Sequence, residues 1–213
     1  FFTDNPQYQN EFGKRFFSVN GVVRTFIRCL NRITEEEGKK IWVEKTPMNL
    51  YYIDTIKKYL PKSKFIHVIR NGKDVVASHY EVSRKFPEFW GGARCIETCV
   101  RRWNRDVLLS KAFKGKRDHF ILIYEDLLTS PEFVLSELVD FLEIQFSSEM
   151  IDKRAKNAGK IIRHFEYWKG DVLKQNFKKR ANKFESLFTD EEKIYIERNL
   201  INLGDYIEKN KNS

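Results

Sequence analysis

An arginine stands where an apolar run meets a helical pattern in residues 67–78, HVIRNGKDVVAS. Asn71 can cap the helix that follows, with Asp74 at its third position, so backbone N–H groups would be exposed beside Arg70. Ser78 stands eight positions after the arginine. A guanidinium fork, exposed amides and a hydroxyl together suit a phosphate group. By itself this pattern is also that of an arginine that faces solvent or pairs with a carboxylate.

Two further polar side chains follow β-rich runs. Lys45 comes after residues 41–43, and Tyr124 closes the run 119–124. The carboxyl ends of parallel strands share one edge of a sheet, where ligands gather. We therefore expect Lys45, Arg70 and Tyr124 to converge on an anionic, nucleotide-like ligand. The ordinary alternatives are a solvated lysine and a tyrosine that packs in the core.

The elements that must position these residues alternate between strand and helix patterns. The β-rich runs 64–69 and 119–124 are almost continuously apolar, as in strands covered on both faces. Helical patterns cover these ranges: the first forty residues, 50–60, 72–84, 96–107, 131–142 and 189–204. Residues 153–185 are rich in Lys, Arg and Asn and predict an irregular segment. The order predicts an α/β domain, a parallel β-sheet flanked by helices.

Composition narrows the class of protein. With 39 Lys and Arg against 30 Asp and Glu, the formal charge of +9 favours an anionic substrate or partner. No apolar run approaches the roughly 18 residues of a membrane span. Three cysteines lack zinc-site spacing, and we interpret them as buried thiols: Cys29, Cys95 and Cys99.

Four stretches together resemble successive blocks of the sulfotransferases that use 3′-phosphoadenosine 5′-phosphosulfate (PAPS). They are WVEKTP, YLPKSKFIHVIRNGKDVVASHY, the tryptophan of RRWNRD, and ILIYEDLLTSPEFVLSELVDFLEI, within about residues 41–144. Their order and separations are most similar to the tyrosylprotein and bacterial branches. The resemblance implies a P-loop NTPase-like three-layer sandwich and one sulfotransferase-like domain over residues 1–213.

The resemblance also implies roles for the residues at the strand ends. Arg70 and Ser78 match the pair that grips the 3′-phosphate of the nucleotide, and Tyr124 matches a residue near the adenosine bisphosphate. Lys45 matches the catalytic lysine that approaches the transferred sulfuryl group. No metal is implied, because charge moving onto the leaving phosphate oxygen is stabilised by positioned cations.

A late segment resembles the loop that closes over the nucleotide. There Trp168 would cover the nucleotide and Lys169 would meet the 3′-phosphate. A tryptophan that anchors a surface segment to the core is the equally open alternative.

The pattern departs from the family near its start. No Arg-Ser-Gly-Thr-like loop for the 5′-phosphosulfate is present, so we expect a domain that lacks its first strand and that loop. The catalytic base is open too, since Pro47 stands where one branch has a histidine. Glu44, His79 and His164 remain as candidates.

These observations predict sulfuryl transfer from PAPS to a hydroxyl or amine acceptor. The acceptor would be a small molecule, a glycan or a protein, with no nucleic-acid partner and no assigned oligomeric state. We expect a cytoplasmic location, or the Golgi lumen if upstream sequence carries a signal anchor. The alternatives are a P-loop kinase-like phosphotransferase, which would need a Walker lysine loop, and a basic nucleic-acid-binding module without catalysis.

Overall fold

A computed structural model of the chain describes residues 6–9, 18–153, 156 and 183–206. Trp168, Lys169 and His164 lie outside the described residues, as does most of the segment 153–185. The chain divides into two units, residues 1–63 and residues 64–213.

The first unit is built on two helices. A 3₁₀ turn, Pro6–Tyr8, is followed by α1 (Val19–Glu36), a second 3₁₀ turn, Pro47–Tyr52, and α2 (Ile53–Tyr59). The Ser18 side chain caps α1 by accepting a hydrogen bond from the Gly21 amide. Within the described residues, the helix predicted in the first forty residues is confirmed over Val19–Glu36. The helical pattern over 50–60 is confirmed as the end of the second 3₁₀ turn followed by α2.

The predicted strand at 41–43 is wrong. Residues 41–46 have no regular secondary structure, and the side chains of Ile41 and Val43 are 60% and 83% exposed. A strand needs a neighbour that pairs with its backbone, and no described strand pairs with this segment. Trp42 instead donates a side-chain hydrogen bond to Asn31 Oδ1 on α1, at 2.9 Å. Lys45 therefore lies within an exposed connection rather than at the end of a strand.

The second unit contains the parallel pair that the apolar runs predicted. Strands β1 (Phe65–Ile69) and β2 (His119–Ile123) form a two-stranded parallel sheet. Phe65 pairs with His119 and Ile69 with Ile123, so both strands end at the same level. The α/β class is confirmed.

Helices occupy most of the remaining described residues of this unit. They are α3 (Gly72–Lys85), α4 (Pro87–Trp90), α5 (Ile96–Lys111), α6 (Tyr124–Thr129), α7 (Pro131–Leu142), α8 (Glu149–Asp152), α9 (Lys183–Leu187), α10 (Asp190–Asn199) and α11 (Leu203–Tyr206). Helix α10 starts at the predicted place, where Thr189 and Glu192 form a capping box. Helix α10 nevertheless ends at Asn199 rather than near Gly204, and Leu200 turns inward to pack beside the core.

The core of the second unit lies between α3, α5 and the last helices. Val76 and Ala77 on α3 meet Cys99 on α5 and Phe184 on α9, and all four are buried. Gly72, at the start of α3, is approached so closely by the Leu200 side chain that a Cβ there would lie 2.7 Å from a Leu200 methyl carbon. This close fit ties the start of α3 to the segment after α10.

The three cysteines do not share one environment. Cys29 and Cys99 are buried as predicted, whereas Cys95 is exposed. Cys95 is the residue that precedes α5, where the chain is still at the surface, and its sulfur lies 3.1 Å from Thr98 Oγ1.

Candidate functional site

Two of the predicted site residues meet at the ends of the paired strands. Arg70 directly follows β1 and Tyr124 directly follows β2, and the strand register places these ends side by side. The guanidinium carbon of Arg70 lies over the Tyr124 ring, 5.0 Å from its centroid. This distance is within the range of a cation–π contact.

Contacts with Asp74 and Tyr124 orient the Arg70 side chain. Its Nη2 donates to Asp74 Oδ2 at 2.5 Å, and Asp74 lies in the first turn of α3. Its Nε is buried and has no hydrogen-bond partner. A buried donor without a partner is costly, but this N–H is covered by protein atoms, so a ligand would meet the exposed part of the guanidinium group. About a third of the side chain, 29%, is exposed to solvent.

A carboxylate ties the two strand ends together. Glu125 Oε1 accepts hydrogen bonds from the Asn71 backbone N–H at 3.1 Å and from Asn71 Nδ2 at 2.7 Å. Asn71 Oδ1 in turn accepts from the Asp74 amide at 2.9 Å, which is the N-cap that the sequence predicts for α3. The Asn71 amide is therefore already occupied by Glu125, and the ligand donors at this junction must come from side chains and from later amides of α3.

Ser78 lies on the same side of α3 as the cap. It follows Asn71 by seven residues, two turns of an α-helix, which places both on one face about 10 Å apart along the axis. The residue is half-buried. A hydroxyl here and the exposed part of the Arg70 guanidinium fit a phosphate monoester held along the first turns of α3, and the Tyr124 ring fits a flat ligand portion beside it. The Asp74 carboxylate on this face would compete with the phosphate for Arg70.

Comparison with known proteins places the chain in a family. The model of a family described as "Sulfotransferase family" matches residues 9–148. The match covers more than half of the chain and includes Lys45, Arg70, Ser78 and Tyr124. The chain belongs to the sulfotransferase family.

Two curated relatives point in the same direction. A protein of Caenorhabditis briggsae named "Putative protein-tyrosine sulfotransferase" is 27% identical over 109 residues, 50% of this chain and 38% of that protein. Protein-tyrosine sulfotransferase 2 of Gallus gallus is 26% identical over 118 residues, 54% of this chain and 31% of that protein. The chain thus spans well under half the length of these relatives. No solved structure matches.

For the other predicted site residues of this sulfotransferase-family chain, the structure describes no contact with Arg70 or Tyr124. Lys45 is exposed and belongs to the first unit, where the neighbouring Glu44 carboxylate accepts hydrogen bonds from Thr46 and Asn49. Its catalytic role stays a prediction. Trp168 and Lys169 lie outside the described residues.

Of the candidate bases, His79 is described in most detail. It lies on α3 next to Ser78, with its ring 5.6 Å from the Trp90 ring. Burial, with the nearby guanidinium groups of Arg102 and Arg94, lowers the pKa of His79 to about 4. The imidazole is therefore neutral near pH 7, which leaves a nitrogen able to accept a proton but makes it a weak base.

Sequence reasoning missed two residues that shape the site. Trp103 on α5 donates its indole N–H to the Arg70 carbonyl at 3.0 Å, and Glu125 holds Asn71. A buried tryptophan must satisfy its N–H, which was the signal for Trp103, although the sequence does not say which acceptor it meets.

No described helix is long and apolar enough to cross a membrane.

Proposed function

We propose that this sulfotransferase-family protein transfers a sulfuryl group from PAPS to a hydroxyl of an acceptor. The observation that carries the proposal is the partly exposed Arg70 guanidinium at the end of β1, lying over the Tyr124 ring at the end of β2. Membership in the family favours this activity over the kinase-like and nucleic-acid-binding alternatives.

Arg70, Ser78 and Tyr124 bind the nucleotide. Arg70 binds the 3′-phosphate by a charge-assisted fork, and the Ser78 hydroxyl donates to the same group. The Tyr124 ring packs against the adenosine portion. When bound, PAPS supplies the activated sulfuryl group. Asp74 positions Arg70 and is not itself a ligand for phosphate.

Lys45 supplies positive charge for the transfer step. Its ammonium would donate a hydrogen bond to the oxygen that gains negative charge as the sulfuryl group leaves, which lowers the barrier by electrostatics. Sulfuryl transfer is similar to phosphoryl transfer, in which catalysis comes mainly from positioning and charge stabilisation. Trp168 and Lys169 remain proposed nucleotide contacts.

The proposed acceptor is the hydroxyl of a protein side chain, since both relatives are named for protein-tyrosine sulfotransfer. Small molecules and glycans are the other acceptor classes compatible with a hydroxyl nucleophile. Assays with a radiolabelled sulfuryl donor and each acceptor class tell them apart, and labelling of peptides only when they contain tyrosine would support the protein acceptor.

Calorimetric titration tests the nucleotide site directly. Adenosine 3′,5′-bisphosphate is expected to bind at least about tenfold tighter than adenosine 5′-monophosphate, because the extra phosphate meets Arg70 and Ser78. Arg70→Ala is expected to remove that preference, whereas Arg101→Ala, a change at an exposed arginine on α5, should leave it intact. Equal affinities of the intact chain for the two nucleotides would overturn the proposed 3′-phosphate site.

A further inference from the structure

One side chain of α5 holds the chain where α10 ends. Asn104 Nδ2 donates to the Asn199 carbonyl at 2.7 Å, and Asn104 Oδ1 accepts from the Ile201 amide at 3.1 Å. The carboxamide therefore pairs with the backbone on both sides of Leu200, using both its donor and its acceptor. Leu200 itself is extended, with φ of −77° and ψ of 135°. Asn104 thus fixes the backbone from which the Leu200 side chain leaves.

The Leu200 side chain lies against the start of α3. Gly72 is the first residue of α3 and is buried, and a Cβ on it would lie 2.7 Å and 2.8 Å from the two Leu200 methyl carbons. Non-bonded carbon atoms prefer separations of about 3.5–4.0 Å, so any residue other than glycine at position 72 would displace the Leu200 side chain. The place of Leu200 and the place of the first turn of α3 therefore depend on each other.

Leu200 also packs against two core clusters that lie behind the candidate site. One contains Ala77, which directly precedes Ser78 on α3. The other contains Ile69, which directly precedes Arg70 at the end of β1. Protein interiors are close-packed, so a shift of Leu200 is passed on to its neighbours. The relative placement of Arg70 and Ser78 thus depends on where Leu200 lies.

An ion pair between Lys73 and Glu197 also joins α3 to α10. Its side chains are 49% and 46% exposed, so solvent screening leaves it weak. The half-buried Asn104 instead pairs with backbone groups, which are costly to leave without partners. The contacts of Asn104 therefore contribute more than this ion pair to holding the segment after α10.

We propose that Asn104 is a positioning residue for the nucleotide site. It holds the backbone around Leu200, and Leu200 sets the start of α3 against the end of β1, so that Ser78 and Arg70 reach the same 3′-phosphate. This role rests on the proposed function. It assigns part of the site to residues 199–201, which lie beyond the part of the chain that the family model matches. A misplacement of about 1 Å between groups that act together is enough to weaken their joint effect.

Hydrogen exchange followed by NMR tests the link without any ligand. In Asn104→Ala the Ile201 amide loses its acceptor and should exchange at least about tenfold faster. The Asp74 amide, which belongs to the cap at the start of α3, should exchange at least about threefold faster. Asn202→Ala is the matched control, because it removes one hydrogen bond in the same part of the chain and leaves both contacts of Asn104 in place. In this control the exchange of the Asp74 amide should stay within about twofold of the unchanged chain.

Calorimetric titration tests the effect on binding. Asn104→Ala should reduce the preference for adenosine 3′,5′-bisphosphate over adenosine 5′-monophosphate from at least about tenfold to less than about threefold. The affinity for the monophosphate should stay within about twofold, whereas a merely structural role would lower both affinities together. Leu200→Ala should reduce the preference to a similar extent. Adding Asn104→Ala to it should change the preference by less than about twofold, because Asn104 acts through Leu200.

The outcomes separate this role from the proposed function. A full preference in folded Asn104→Ala, an unchanged exchange of the Asp74 amide, or additive losses in the double variant would overturn the role of Asn104 alone. Equal affinities of the unchanged chain for the two nucleotides would overturn the 3′-phosphate site and this role with it. If circular dichroism shows that Asn104→Ala is unfolded, the milder Leu200→Val replaces it, and a full preference in that variant would overturn the role.

Discussion

The indole N–H of Trp103 donates a hydrogen bond to the backbone carbonyl of Arg70 at 3.0 Å. Trp103 is 5% exposed and lies on α5, while Arg70 is the first residue after β1. The bond fixes the backbone from which the Arg70 side chain leaves the sheet. Helix α5 therefore positions the backbone of the proposed phosphate-binding arginine through this one hydrogen bond.

Trp103→Phe removes this bond while keeping an aromatic ring. We expect the free energy of unfolding to fall by about 1–3 kcal/mol, because the carbonyl loses its donor and the smaller ring leaves space. The affinity for adenosine 3′,5′-bisphosphate should fall as well, while the affinity for adenosine 5′-monophosphate changes little. Chemical denaturation and calorimetry measure the two effects, and loss of both affinities in equal measure would contradict a specific effect on Arg70.

Glu125→Ala is expected to loosen the junction between the two strand ends. Two hydrogen bonds from Asn71 to the carboxylate would be lost, so the free energy of unfolding should fall by about 1–2 kcal/mol. Asp126→Ala is the matched control, since the neighbouring Asp126 is exposed and its change should cost no more than about 0.5 kcal/mol. Similar costs for the two variants in urea denaturation would show that Glu125 does not brace this junction.

A buried histidine pair makes stability depend on pH. His67 on β1 and His119 on β2 are both buried, with their ring nitrogens 2.9 Å apart. Burial, with the neighbouring His119, lowers the pKa of His67 from 6.5 to about 4. Between these pH values the unfolded chain binds more protons than the folded chain, so stability is full above pH 6.5 and falls as the pH drops towards 4.

The slope of that fall is measurable. His67 alone should contribute up to about 1.4 kcal/mol per pH unit within this window, or roughly 3 kcal/mol in total. His79, whose pKa is also lowered to about 4, adds to the slope in the same direction. In His67→Phe the slope should become shallower but not vanish. An unchanged slope in urea denaturation from about pH 4 to about pH 7 would rule out the assigned pKa of His67.

The cysteines should differ in reactivity. Cys95 is exposed, whereas Cys99 is fully buried and burial raises the pKa of its thiol. A thiol reagent acts on the thiolate, so Cys95 should be labelled first in the folded chain and Cys99 only after unfolding. Mass spectrometry of digested protein identifies the labelled residue. Rapid labelling of Cys99 in the folded state would contradict the packing of α3 against α5.

The sequence predicted those parts of the fold whose signals are local. The two strands and the Asn71 cap depend on neighbouring residues, and all are present. The expected cover on both faces is wrong for β1, because Val68 is 62% exposed among the described residues. The strand expected at 41–43 is absent because a strand requires a distant partner for its backbone groups, which a short apolar run does not reveal. Helix α10 ends early for a similar reason, since Leu200 packs into the core instead of continuing the helix.

In the candidate site, too, the sequence predicted contacts that follow from general rules of the fold but not contacts between particular distant residues. The meeting of Arg70 and Tyr124 followed from parallel strand ends, a general property of such sheets. The contact between Glu125 and Asn71 joins residues 54 positions apart, and the sequence offers many carboxylates that could fill that place. Such pairings depend on register and side-chain direction, which only the folded chain fixes.

A double-mutant cycle on Arg70 and Ser78 tests the proposed 3′-phosphate site most directly. The affinity for adenosine 3′,5′-bisphosphate is measured by calorimetry for the unchanged chain, Arg70→Ala, Ser78→Ala and the double variant. If both side chains bind one phosphate, the two changes should be coupled by about 0.5–3 kcal/mol, and the coupling should vanish for adenosine 5′-monophosphate. Additive effects, or the same coupling with both nucleotides, would contradict a shared 3′-phosphate site.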